Sequence, residues 1–246
     1  RHTAETAVRA IEDAQTYGFD NISIDLIYGL PGQSLQSWKN QIDKALTLGV
    51  QHISAYGLTY EKGTLLWHQL QREEIKQVDD ETMNAMYEYL VKTCIEKGFE
   101  HYEISNFALP NRRSRHNSAY WHQQTYLGIG PAAHSYNLIS RQWNVASIRQ
   151  YCDKINSGIQ WYETETLTEQ DKYNDFIMVS LRTSEGIELK QVETFFGNEK
   201  AEYCLISAKK YLNEKLLYQN NGFLRLTPDG ILISDQIIAD LMLCEG

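Results

Sequence analysis

Residues Ile22 to Ser34 read I-S-I-D-L-I-Y-G-L-P-G-Q-S, and no other stretch narrows the fold as far. A β-branched, apolar strand carries a carboxylate, Asp25, in its middle. A glycine- and proline-rich turn follows at once, and Ser34 is a good helix N-cap. This is α/β grammar, in which ligands are met at the carboxyl ends of strands, here at Gly29, Leu30, Pro31 and Gly32. In a buried strand an unpaired carboxylate would cost several kcal/mol. Asp25 is therefore expected to meet a ligand, a cation or a hydrogen-bond network, or to tie down its own loop.

The flanking pattern extends that grammar. Thr3 to Tyr17 has apolar residues at helical spacing and stops at Gly18. After Ser34, Leu35, Trp38, Ile42, Ala45 and Leu46 share one helical face, with Gly49 at the end. A second strand runs from Ile53 to Tyr60. Asp79 caps a further helix whose stripe is Met83, Met86, Tyr87, Leu90, Val91 and Cys94, read as core, and Phe99 to Phe107 is a third strand. Three strands do not close a barrel. The expectation is the second half of a partial parallel (β/α) barrel over residues 1–160.

From about Thr166 the grammar changes to three helices, over Leu167 to Leu181, Leu189 to Phe196 and Lys200 to Leu216. A hairpin about Asn220-Asn221-Gly222 follows, and then a helix after Thr227-Pro228. Residues 161–246 thus read as a winged-helix-like α+β domain, an arrangement often used to bind DNA. Charge opposes that use: 15 Asp/Glu against 8 Lys/Arg from Trp161 to Gly246 give 8 − 15 = −7. A DNA-binding face needs a basic stripe.

The 246-residue chain carries a net charge of −9 and a pI of about 5.3, which disfavours nucleic acid and anionic membrane surfaces. No apolar run reaches the roughly 18–20 residues of a membrane span. The chain begins at Arg1 rather than methionine, which reads as a piece of a longer protein. Its four cysteines, Cys94, Cys152, Cys204 and Cys244, form no CxxC-type cluster, so no zinc or iron–sulfur ligand set is visible. Free thiols and a cytoplasmic location are expected.

Two further constellations carry chemistry. In Y-L-G-I-G-P-A-A-H-S (Tyr126 to Ser135), Gly128 and Gly130 would let backbone approach a flat ligand, with His134 close behind; a tight structural turn is the plainer reading. In H-N-S-A-Y-W (His116 to Trp121), a helix would put His116 and Tyr120 on one face. Arg112, Arg113 and Arg115 precede it. Imidazole can ligate haem iron, aromatic rings can stack on a porphyrin, and arginines can pair with propionates. Alternatively His116 and Asn117 hydrogen-bond the local loop while Trp121 packs in a core.

Taken together, I-D-L-I-Y-G-L-P-G-Q-S, H-I-S-A-Y-G-L-T-Y-E, Y-E-I-S-N-F-A, H-N-S-A-Y-W and Y-L-G-I-G-P-A-A-H-S resemble the oxygen-independent coproporphyrinogen III oxidase-like branch of the radical SAM superfamily. Within it they are most similar to the HemW-type haem chaperones. The order and spacing of five segments is more specific than any one. The resemblance implies an S-adenosylmethionine site at the strand ends beside a [4Fe–4S] cluster. Asp25 and Thr59 would contact S-adenosylmethionine, and the Gly128 to His134 turn, with Gly130, would close over its nucleoside. It further implies that His116, Tyr120 and Trp121 contact haem, with His116 on the iron. In that family an arginine of a G-R-x-H motif also serves the site; here only Arg1-His2-Thr3 stands.

One departure is large. The family's CxxxCxxC motif and the glycine-rich segment after it are absent from this chain, so the cluster ligands are expected outside it. The leading function is a chaperone that binds haem and passes it to an acceptor haemoprotein. The alternatives are an oxidase converting coproporphyrinogen III to protoporphyrinogen IX and, remotely, a winged-helix regulator of DNA.

Overall fold

A computed structural model of the chain describes residues 3–244. Arg1 and His2, which the resemblance set against the G-R-x-H motif, lie outside them. The chain divides into two compact units, Arg1–Ser114 and Arg115–Gly246. The expected boundary at 160/161 falls within the second.

In the first unit, helix α1 (Ala4–Thr16) starts at a Thr3 capping box. Strand β1 (Ser23–Tyr28) leads to α2 (Leu35–Thr47), whose N-cap Ser34 accepts from the Ser37 amide at 3.1 Å. Strand β2 (His52–Gly57) pairs in parallel with β1. A short helix, α3 (Leu65–Gln71), was not foreseen; it starts at Thr64, whose hydroxyl accepts from Trp67 N. Asp79 caps α4 (Asp80–Glu96), which buries Met86, Tyr87, Leu90 and Cys94 as its stripe predicts.

The expected third strand is instead a hairpin, β3 (Glu100–Glu103) and β4 (Asn106–Ala108), turning at Ile104-Ser105. β4 inserts antiparallel beside β2, and the sheet order is β1-β2-β4-β3. Only β1 and β2 are parallel, so the all-parallel reading holds for that pair alone. The reason is polar: Asn106 and Glu103 bond each other across the tight turn, which a straight strand would forbid.

Alternation sorts this sheet into two faces. Tyr28 meets Trp38 of α2, with ring centroids 5.3 Å apart, and Tyr87 of α4 at 6.5 Å. The indole of Trp38, fully buried, donates to the Met86 carbonyl at 2.9 Å. The helices therefore cover the face of Tyr28, Ile53 and Phe107. The opposite face carries Asp25, Ile27, Ser54 and Tyr56.

The second unit opens with α5 (Arg115–Trp121). An antiparallel sheet that the sequence did not announce follows: β5 (His134–Tyr136), β6 (Ser140–Asn144) and, after helix α6 (Ile148–Asn156), β7 (Tyr162–Thr166). Arg141 of β6 pairs with Asp175 of α7 (Glu169–Leu181), and α5 also packs on α7. These contacts lie within the second unit, Arg115–Gly246.

Next come β8 (Ile187–Glu188), α8 (Leu189–Phe196), α9 (Asn198–Asn213), β9 (Leu217–Asn220) and β10 (Phe223–Leu226), with sheet order β8-β10-β9. Asn221 and Gly222 form the hairpin turn, both at positive φ (52° and 81°), as a two-residue loop demands. Helices α10 (Pro228–Leu232) and α11 (Ser234–Leu241) close a core of Tyr173, Ile177, Leu181, Val192, Cys204, Tyr211 and Leu224. No helix among the described residues is long and apolar enough to cross a membrane.

Candidate functional site

Asp25 is exposed, not buried. β1 is an edge strand with alternating burial, and Asp25 lies on the face the helices leave open. The desolvation argument for a ligand therefore fails, and a positional one replaces it. The register runs Asp25–Ser54–Asn106–Glu103 straight across the four strands. Ser54, Asn106 and Glu103 are buried and hydrogen-bonded: Ser54 Oγ donates to Asn106 Oδ1 at 2.6 Å, and the Asn106 amide donates to Glu103. Glu103 also accepts from the Ser105 amide at 3.2 Å. At the end of this row the Asp25 carboxylate has no hydrogen-bond partner among the described residues.

A second chain runs beside it on the same face. Ser23 Oγ lies 2.8 Å from His52 Nδ1, and His52 Nε2 lies 2.7 Å from the Tyr102 hydroxyl. Burial lowers the His52 pKa, against an opposing pull from the Asp25 charge, and burial pushes Tyr102 up to about 12. The β-bulge between His101 and Glu103 lets Tyr102 and Glu103 both reach this face.

Thr59 is exposed just past the carboxyl end of β2. Its neighbour Tyr60 has a buried hydroxyl without a partner among the described residues, and burial raises its pKa.

In the second unit α5 is helical and brings His116 and Tyr120 together, their rings edge-on at 4.8 Å and 85°. His116 is exposed and makes no hydrogen bond among the described residues. Trp121 is part-buried beneath the Arg182 guanidinium, 5.7 Å from the ring centre, and its indole N–H is buried without a partner. His122 points elsewhere, with Nδ1 2.6 Å from the Ser118 carbonyl. Arg112 and Arg113 hold Asp20 and Glu100, at 3.6 and 2.9 Å.

The Gly128 to His134 turn is saturated internally. Asn144, buried, donates to the carbonyls of Gly128 and Gly130 at 3.3 and 2.9 Å. Gly128 N donates to Ser135 Oγ, and Gly130 N donates to the Tyr151 hydroxyl. A Cβ on Gly128 would stand 2.1 Å from the His134 carbonyl oxygen. Glycine is required there by the turn's own backbone. Ile129 between them is 84% exposed, and His134 is exposed.

Sequence reasoning missed His52, Ser54, Glu103, Asn106 and Tyr126. The signal for the first four was polar residues alternating with apolar ones inside strands, His52-Ile53-Ser54-Ala55 above all. For Tyr126 there was none beyond its place before the glycine turn.

The open, acid-bearing sheet and the acidic helical tail have counterparts among known proteins. The family described as HemN C-terminal domain matches residues 167–233. The solved coproporphyrinogen III oxidase HemN of Escherichia coli, a radical SAM enzyme, shares the fold: TM-score 0.78 at 18% identity, over 98% of this chain and 59% of that one. The heme chaperone HemW of Bacillus subtilis is 31% identical over 238 residues, 96% of this chain and 62% of the relative. That of Lactococcus lactis is 30% identical over 243 residues, 98% of this chain and 64% of the relative. The chain is thus similar over nearly its whole length to the HemW-type radical SAM proteins. It spans about three fifths of the length of these relatives.

Proposed function

We propose that this chain serves a cytoplasmic haem chaperone, holding haem at His116, Tyr120 and Trp121 for delivery to an acceptor haemoprotein. The observation that carries the reading is α5 itself. An imidazole, exposed and without a hydrogen bond among the described residues, stands edge-on to Tyr120 one helical turn on, and the next residue carries an orphaned indole N–H beneath an arginine. A flat ligand with an electrophilic metal and peripheral carboxylates fits that donor set. The names of the curated relatives support the same reading.

Asp25 and Thr59 are proposed contacts of S-adenosylmethionine. The fit rests on the unengaged carboxylate and on the orphaned Tyr60 hydroxyl, which suit the amine and hydroxyl groups of such a ligand. Gly128, Gly130 and His134 are proposed contacts too, supported by the exposed Ile129 and His134 side chains rather than by the glycines' own saturated backbone. When bound, S-adenosylmethionine supplies the superfamily's radical chemistry.

A [4Fe–4S] cluster does not fit the described residues. Burial pushes the Cys94 and Cys204 thiols up to about 12 and about 11, and Cys152 and Cys244 lie exposed on other elements. No three potential metal ligands gather among the described residues.

The fold parts are proposed as a partial-barrel half and a winged-helix-like C-terminal domain of residues 161–246, within which the HemN C-terminal domain match falls. The helix–strand order α7-β8-α8-α9-β9-β10 supports the latter. Its net acidity supports a role other than DNA binding.

The test is haem titration of the full-length protein and its His116→Ala variant. A Soret band forms in the former, and affinity falls about tenfold or more in the latter, the worth of 1.4 kcal/mol of lost ligation. Identical titrations would remove His116 from the site. Anaerobic turnover of coproporphyrinogen III by the cluster-loaded protein would favour the oxidase instead.

A further inference from the structure

Helix α5 has seven residues and buries none of them, too short to persist unaided. Two contacts hold its last turn. Trp121 lies beneath Arg182. Tyr120 meets Tyr126 edge-on, at 4.7 Å and 78°, as well as His116.

Tyr126 is itself fixed. Its backbone N–H and C=O both bond Tyr136, each at 3.0 Å, in an isolated β-bridge, and the two rings stand 6.0 Å apart. His116 has no hydrogen bond among the described residues, so the edge of Tyr120 is what sets its ring. Tyr120 in turn packs edge-on against Tyr126. The order of support is Tyr136, Tyr126, Tyr120, His116, from strand to helix.

We infer that Tyr126 is a positioning residue, holding Tyr120 and through it His116 in the orientation that presents an imidazole to a planar iron porphyrin. Tyr126 does not touch the ligand. The inference rests on the haem reading above, and its test separates the two. It also gives Y-L-G-I-G a second role, because the glycine turn anchors the strand end that braces the helix.

Full-length Tyr126→Phe and Tyr126→Leu are compared in the wild-type and His116→Ala backgrounds. Haem affinity and the Soret maximum are the readouts. The Phe ring keeps the edge contact, so Tyr126→Phe stays within about twofold of wild type. Tyr126→Leu weakens binding about three- to tenfold, the worth of one edge-to-face pair, and moves the Soret maximum towards that of His116→Ala. In the His116→Ala background it adds nothing. Should Leu loosen the fold, seen as a lowered melting midpoint, Tyr126→Met keeps the volume without the ring edge and gives the same result. Unchanged affinity and Soret maximum in a folded Leu or Met variant overturn the inference while leaving the haem reading intact. So does an equal loss with and without His116. If His116→Ala itself titrates as wild type, both fall together.

Discussion

Asp25 and His116 are both exposed, both without a hydrogen bond among the described residues, and otherwise opposite. Asp25 ends a row of buried, mutually bonded polar side chains laid across four strands. His116 rides a short helix steadied by aromatic edges. The first surrounding has a fixed pattern of donors and acceptors, because the Asn106 amide donates to Glu103 and so turns its oxygen to the Ser54 hydroxyl. The second has shape and little polarity. A ligand rich in hydroxyl and amine groups suits the one, and a flat aromatic ligand suits the other.

The comparison can be broken hardest at Gly128. Adding one methyl there puts carbon against the His134 backbone, which no flexible side chain can relieve. Gly128→Ala is expected to cost about 4 kcal/mol, beyond the usual range for overpacking because backbone must move. That would lower the melting midpoint of the full-length protein by about 10 °C. Gly130→Ala meets open space and suffers only its φ of +105°. Equal losses at both positions would show that the turn is not held by close approach.

Next in size is the polar row. Asn106→Leu matches its volume roughly but leaves Ser54 and Glu103 buried without their shared partner. The expected loss is about 3 kcal/mol in urea unfolding. Asp25→Asn, two strands away in the same row, changes stability by less than about 0.5 kcal/mol, as an exposed substitution should. Were Asp25→Asn as damaging as Asn106→Leu, the carboxylate would belong to the fold rather than to a ligand.

How much of this was legible follows from what each residue reports. Ser34, Asp79 and Asn221-Gly222 announced their structures because capping and turn chemistry act within a few residues. Asp25 was located correctly and its burial misjudged: Ile24, Leu26 and Tyr28 alternate with Ser23, Asp25 and Ile27, a half-covered pattern that the apolar Ile27 disguised. β6 and β7 read S-R-Q-W-N and Y-E-T-E-T, with too few apolar residues to show a buried face, and only pairing reveals them. The Glu103–Asn106 bond depends on a turn and a bulge, and neither has a period.

The smallest effect is a pH dependence, and it reads the polar face directly. Burial lowers the pKa of both His52 and His101 in the folded protein. Between that lowered value and the unfolded value of about 6.5, the unfolded chain binds more protons. Their stability contribution is therefore complete above about pH 6.5 and is lost as pH falls through the folded pKa. The melting midpoint should hold steady from pH 8 to 7 and drop by about 2–4 °C by pH 5.5. His52→Gln/His101→Gln should flatten that curve, and a slope surviving in the double variant would assign it elsewhere. Asp25→Asn sharpens the same measurement. The Asp25 charge holds the His52 pKa partly up against burial, so removing it widens the window and steepens the acid-side loss. An unaltered slope in Asp25→Asn would mean the carboxylate is too well screened by water to act on His52 at all.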